Sequence, residues 1–324
     1  MAKNLDYAYA VARIRANERY MLTSSDIETI ISAESTEKAI SFLASKKWFD
    51  CSQSLGIKEI TENAQNNLWK LLNESVPDKT ELEIFTVQND FFNIKAVLKS
   101  VVSGNDADKY FIYPTSVDVS ALKEVVLKRQ YGKFDERYKK ALSEASEVLN
   151  KTENGQLAEI ILDKAALEYM LQRADSSGCG LLKEIIEFFV SVSNIKIAIK
   201  CITSKKGSAF AQKAMTACKT LDTDKLLKIC DEDLNALAEY LNKTDYKKAS
   251  ELILKGTVLF EKWCDDTIVE LAKKSKYEFF GFAPICGYYF GKTAEIKTVK
   301  SILSGKENGL SEDAVRERVR TLYV

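Results

Sequence analysis

Histidine does not occur among the 324 residues. Its absence removes the commonest general base, the triads built on it and the most frequent transition-metal ligand. Proline occurs three times (Pro77, Pro114, Pro284) and glycine thirteen times. Both residues break helices and mark turns, so their scarcity favours long helices with few connections. Net charge is also missing: 47 basic side chains balance 47 acidic ones. The basic footprint of a general nucleic-acid binder is therefore not found, and no nucleic-acid partner is expected. The seven cysteines, at 51, 179, 201, 218, 230, 264 and 286, form no CxxC pair. They read as reduced, mostly buried thiols in a cytoplasmic protein, not as a disulfide frame or zinc site. Long apolar runs are lacking as well. Lys3, Asp6, Arg13 and Arg15 interrupt the N-terminal segment, so no signal peptide is expected. "FFGFAPICGYYFG" at 279–291 is too short to span a bilayer, and no transmembrane segment is expected.

What is present is an ordinary globular composition, 46% hydrophobic and 29% charged, in a chain long enough for two or three domains. "NIKAVLKSVVSG" begins at Asn93, "NIKIAIKCITSK" at Asn194 and "EIKTVKSILSGK" at Glu295, at a constant interval of 101 residues. In register, Ile94, Val97 and Val101 match Ile195, Ala198 and Ile202, then Ile296, Val299 and Leu303. This is the i, i+3, i+7 stripe of a helix facing a core. Leu98 and Ile199 extend it, but Lys300 interrupts the third copy. Lys95, Lys196 and Lys297 fall at its edge, where a stem packs and the ammonium stays wet. Asn93, Asn194 and Glu295 flank the opposite edge. Upstream of each copy lies an aromatic helix, "NLWKLL", "ALEYML" or "LFEKWC". Downstream come helix starts, "SVDVSALKEVV", "LDTDKLLKI" and "LSEDAVRERV".

A weaker copy opens the chain, with Arg13-Ile14-Arg15 in the N-I-K slot and Met21-Leu22 where Val101-Val102 stand. It is followed by "SSDIETII", where Ser25 and Glu28 suggest a capping box. "FLASKKW" at 42–48 also echoes "YLNKTDY" at 240–246. The expected fold is all-α, with three helical units at 1–105, 106–206 and 207–324. The C-terminal copy is expected to complete a bundle begun near the N-terminus. Solenoid repeats are about 20–50 residues long, whereas a 101-residue unit can hold a core of its own. Three such units are expected to close around a pseudo-threefold axis and a central cavity.

No chemical motif survives inspection. Gly291-Lys292-Thr293 matches the end of a phosphate-binding loop, but its first glycine is replaced by Cys286. Asp265-Asp266 and Asp231-Glu232-Asp233 read as solvated helix starts in the absence of matched ligands. No cysteine has a histidine partner to activate it. Neither an enzyme nor a bound cofactor or metal is expected. "RERVR" places Arg316 and Arg320 at i, i+4 on a terminal helix with Val315, Val319 and Leu322, either a solvated face or a partner patch.

"YAYAVARIRANERYML", "NDFFNIKAVLKS", "NIKIAIK" and the closing "GYYFGKTAEIKTVKSILSGKENGLSEDAVRERVRTLYV" together resemble the C subunit of the rotary V/A-type ATPases and ATP synthases, whose eukaryotic V-ATPase counterpart is termed d. The likeness covers the whole chain, although Lys300 stands where the pattern suggests a hydrophobic residue. The resemblance implies a funnel-shaped all-α socket of three similar domains on the cytoplasmic face of the membrane. There it would receive the central shaft, made of the D and F subunits, and rest on the proteolipid rotor ring. It would turn as a non-catalytic adaptor that transmits torque in proton or sodium transport. Lys95, Lys196, Lys297, Arg316 and Arg320 are the interface candidates, although each also reads as an ordinary surface charge. A generic cytoplasmic scaffold of helical repeats is the alternative. A hydrolase using Gly291-Lys292-Thr293 is a third reading.

Overall fold

The computed structural model describes residues 6–49, 55–152 and 154–324; Lys3 and Cys51 lie outside them. Among the described residues there is no strand. The helices are α1 Ala8–Glu18, α2 Ser24–Ser32, α3 Thr36–Ser45, α4 Ile57–Ser75, α5 Glu83–Ser103, α6 Val119–Leu127, α7 Glu136–Thr152 and α8 Gly155–Ser176. They continue with α9 Gly180–Thr203, α10 Gly207–Ala214, α11 Thr223–Ile229, α12 Leu234–Leu241, α13 Lys247–Lys255, α14 Thr257–Lys273, α15 Ala283–Glu307 and α16 Glu312–Arg316. The three marker segments lie in α5, α9 and α15, and the aromatic helices that precede them are α4, α8 and α14.

The chain divides into two compact units. Unit one contains Met1–Lys79, Cys179–Ile185 and Thr257–Val324, and unit two contains Thr80–Gly178 and Ile186–Gly256. In unit one, α15 packs against α1, α2, α3, α4, α14 and α16. Leu22, Ile27, Ile30, Leu43 and Trp48 share one core cluster with Ile296, Val299, Ile302, Leu303 and Val315. The helices nearest the two ends of the chain thus bury their apolar stripes in each other, as the incomplete C-terminal copy requires. In unit two, α8 packs on α5, α7 and α10, α6 packs on α5, and α12 packs on α13.

The central place of α15 depends on its glycines. A Cβ at Gly287 would lie 1.8 Å from Ser275 Oγ and 2.9 Å from the Ala272 carbonyl oxygen. One at Gly291 would lie 2.5 Å from Tyr323 Cγ. These glycines, four residues apart, let the end of α14 and the C-terminal segment lie directly on the helix backbone. Gly291-Lys292-Thr293 is therefore interior helix, whose amides serve the helix and form no phosphate cradle.

Three features differ from the sequence reading. The capping box at α2 is formed by Thr23 and Asp26, not Ser25 and Glu28, because Thr23 holds the extended conformation an N-cap needs. The N-terminal near-copy is not a marker helix: α1 stops at Glu18, and Met21 and Leu22 are buried beyond it. The terminal helix ends at Arg316, so Arg320 lies past it. There the Thr321 amide donates to Asp266 Oδ1 at 2.6 Å, which draws the chain away from helical geometry and carries Tyr323 into the core.

Candidate functional site

The marker helices carry buried polar pairs at i, i+3 that repeat with the 101-residue interval: Asp90/Asn93, Ser191/Asn194 and Lys292/Glu295. A polar side chain inside a packed bundle must find partners, because an unpaired buried group costs about 1–3 kcal/mol. Each pair finds them in an extended segment that leads into a short capped helix.

Asn93 faces the peptide groups of Ile112. Its Nδ2 donates to the Ile112 carbonyl and its Oδ1 accepts from the Ile112 amide, both at 2.9 Å. Asp90 accepts from the Ser116 amide at 3.0 Å, the Ser116 hydroxyl and the Tyr138 hydroxyl at 2.9 Å. The segment then enters α6, capped by Asp118. In the second copy Asn194 makes the same reciprocal pair with Thr216, at 2.7 and 3.0 Å. Ser191 reaches Thr220, whose hydroxyl meets Tyr246, each step 2.7 Å. That segment enters α11, capped by Asp222.

The third pair has no such segment after it in the chain. Its partners come from the N-terminal region. Glu295 accepts from the Leu22 amide at 2.7 Å, the Trp48 indole at 2.6 Å and the Lys292 ammonium. Leu22 leads into α2, capped by Thr23. Leu22 thus gives Glu295 the backbone amide that Ile112 gives Asn93 and Thr216 gives Asn194, and Trp48 adds an indole donor. A carboxylate accepts but cannot donate, so Glu295 gathers three donors, and Lys292 supplies the countercharge.

Burial pushes the Asp90 carboxyl up from its usual 3.8, although Ser116 and Tyr138 oppose the shift. The same burial, with the Asp90 charge beside it, raises the Tyr138 phenol. A carboxyl whose folded pKa exceeds its unfolded one binds more protons when folded. Its contribution to stability is therefore most favourable below 3.8 and is lost as pH rises through the folded value. Asp90→Asn keeps the hydrogen-bonding shape without the charge. In urea titrations followed by far-ultraviolet circular dichroism, the variant should gain on the native protein as pH rises from 4 to 8. A difference that stays flat over this range would show that ionising Asp90 costs the fold nothing.

The five candidate interface cations lie elsewhere. Lys95 pairs with Asp163, and Lys297 with Asp265. Arg316 pairs with Glu28, Glu312 and Asp313, and Arg320 with Asp265 at 3.1 Å. Lys196 is exposed on α9 with no ion-pair partner among the described residues. Lys297 and Arg320 thus share Asp265 in unit one, which also holds Arg316, while Lys95 and Lys196 belong to unit two. The acidic groups are structural too: Asp266 pairs with Lys262, Asp231 accepts from the Ser208 amide and Asp233 caps α12. No metal-binding group of His, Cys, Asp and Glu side chains occurs among the described residues.

No helix among the described residues is long and apolar enough to cross a membrane. A family model described as ATP synthase (C/AC39) subunit matches residues 10–318. The chain belongs to this family. The match takes in all three marker helices of this C/AC39 chain and most of both terminal segments. Among curated relatives, the C subunit of the V-type sodium ATPase of Enterococcus hirae is 21% identical over 317 residues, covering 96% of this chain and 97% of the relative. The C subunit of the A-type ATP synthase of Methanocaldococcus jannaschii is 24% identical over 349 residues, covering 98% and 86%. Its counterpart in Methanothermobacter thermautotrophicus is 23% identical, covering 96% and 87%. This C/AC39 chain is thus similar to C subunits of V-type and A-type complexes over nearly its whole length, and its described residues form helices and no strand.

Proposed function

We propose that this C/AC39 protein is the non-catalytic socket of the central stalk, on the cytoplasmic face of the membrane. It receives the shaft, formed by the D and F subunits, rests on the proteolipid rotor ring and passes torque between them. The family match over residues 10–318 carries this reading. The scaffold suits it: an adaptor under torque needs packed helices and no reactive cleft, and the buried polar groups of the marker helices are used to hold segments in place. The recurring contacts at Asn93, Asn194 and Glu295 support three helical repeats, 1–105, 106–206 and 207–324. In our reading these repeats surround a pseudo-threefold axis in a funnel with a central cavity.

Lys95, Lys196, Lys297, Arg316 and Arg320 are our interface candidates. Exposed ion pairs contribute little to stability, roughly 0–1 kcal/mol, so Lys297 and Arg316 can exchange partners when a complex forms, whereas Lys95 and Arg320 are half-buried. Co-expression with the two shaft proteins tests the reading. The chain should co-purify with D and F and bind the ring, and Lys196→Glu should weaken at least one contact. Purification with an unrelated soluble complex, and never with rotor components, would overturn it.

A further inference from the structure

Unit one displays three aromatic side chains within four residues: Tyr277 is 84% exposed, Phe279 71% and Phe280 62%. Soluble surfaces seldom present such a cluster without a partner. The loop that carries them is held firmly. Arg15 Nη2 donates to the carbonyls of Ser275 and Glu278, at 2.6 and 2.9 Å. Ser275 is fully buried, with its hydroxyl 2.8 Å from that of Tyr323. Directly after Phe280, Gly281 takes φ +76° and turns the chain back, so that Phe282 enters the core beside Tyr7. The exposure of the three rings is therefore built in by anchors on both sides.

Next to them in the chain are Lys273, Lys274 and Lys276. Lys273 pairs with Glu270 and Lys274 with Glu184, while Lys276 lies over the Tyr323 ring at 5.0 Å. Exposed rings flanked in the chain by lysines match the bilayer interface, where aromatics lie at headgroup depth and ammonium groups reach back to water. We propose that the loop 274–282 is a lipid-contacting element that dips Tyr277, Phe279 and Phe280 into the interfacial layer of a bilayer. Two of the three lysines are already neutralised by acids, so the rings and not the charge drive the contact. Zwitterionic vesicles should suffice, and anionic lipid should add little. Membership of a membrane-ATPase family places a bilayer within reach, but the contact goes beyond the socket reading, since neither D, F nor the ring is needed for it.

The test is flotation of the full chain with phosphatidylcholine vesicles, with and without phosphatidylglycerol. The native protein should float with both, and Phe279→Ser/Phe280→Ser should lower the bound fraction on the order of tenfold. Circular dichroism should be unchanged, because neither ring packs in the core. In Phe280→Trp, brominated lipid should quench the added fluorescence. Native protein that stays unbound to both vesicle types, or a double variant that floats equally well, would overturn the proposal. So would vesicle indifference combined with loss of ring binding in the double variant, which would identify a protein partner. The double variant should still bind D and F; failure of the native chain to bind them would count against the socket, not the loop.

Discussion

Glu295→Ala is expected to destabilise unit one by about 3–5 kcal/mol, the cost of breaking a buried ion pair by removing one member. The substitution leaves the buried Lys292 without its countercharge, and strips the acceptor from the Leu22 amide and the Trp48 indole. Glu295→Gln retains an acceptor but not the charge, so it should fall between the native protein and alanine. Adding Lys292→Met to Glu295→Gln should recover part of that loss, because no uncompensated charge then remains. The three tryptophans, 48, 69 and 263, all belong to unit one. Their fluorescence in a urea titration therefore reports this unit alone. An alanine variant within about 1 kcal/mol of the native protein would mean that water replaces the carboxylate and that the N-terminal segment is not held by it.

The second large effect is expected at Tyr323. Its side chain is 1% exposed, its hydroxyl meets Ser275 and Glu18, and its ring fills the space left by Gly291. Tyr323→Ala should cost about 3–5 kcal/mol, as large-to-small aromatic truncations in cores do. Gly291→Ala should cost about 1–3 kcal/mol by forcing the ring off the helix. The two should not add. Once the ring is gone the new methyl has room, so Gly291→Ala in the Tyr323→Ala background should be much milder than alone. A double-mutant cycle by tryptophan fluorescence gives the coupling directly. Additive losses would disprove the contact between ring and glycine.

Part of this architecture is legible in the residues and part is not. The apolar stripe locates the core faces of the marker helices: Ile94, Val97, Ile195, Ala198, Ile296 and Val299 are all buried. It fails at the ends, where Val101 is 53% exposed near the last turn of α5 and only Leu303 keeps the pattern. The reunion of the terminal segments follows from counting copies against intervals. Asn93, Asn194 and Glu295 are buried rather than at the stripe's edge, since periodicity alone assigns a polar side chain to water. Their recurrence together with polar neighbours three residues earlier is the signal that marks them. The backbone partners Ile112, Thr216 and Leu22 carry none, because a main-chain amide looks alike at every residue. Arg15, which pins the aromatic loop, stands out in the sequence as an interruption of an apolar run and as part of the N-terminal near-copy, and neither marks an anchor. Lys292 sits in a fragment that resembles a phosphate loop, yet its partner is only three residues away.

The Leu22–Glu295 bond also bears on the order in which the protein takes shape during synthesis. The two residues are separated by 273 positions, so the ribosome has made most of the chain before the opening segment meets its acceptor. All of unit two, by contrast, has emerged once Gly256 is clear of the tunnel. Domains generally fold as their residues emerge, so the middle of the molecule should form first while the leading helices wait, their isoleucines uncovered. A nascent chain stalled before residue 283 should be cut readily by protease within α1 to α3, and one released after residue 324 should not.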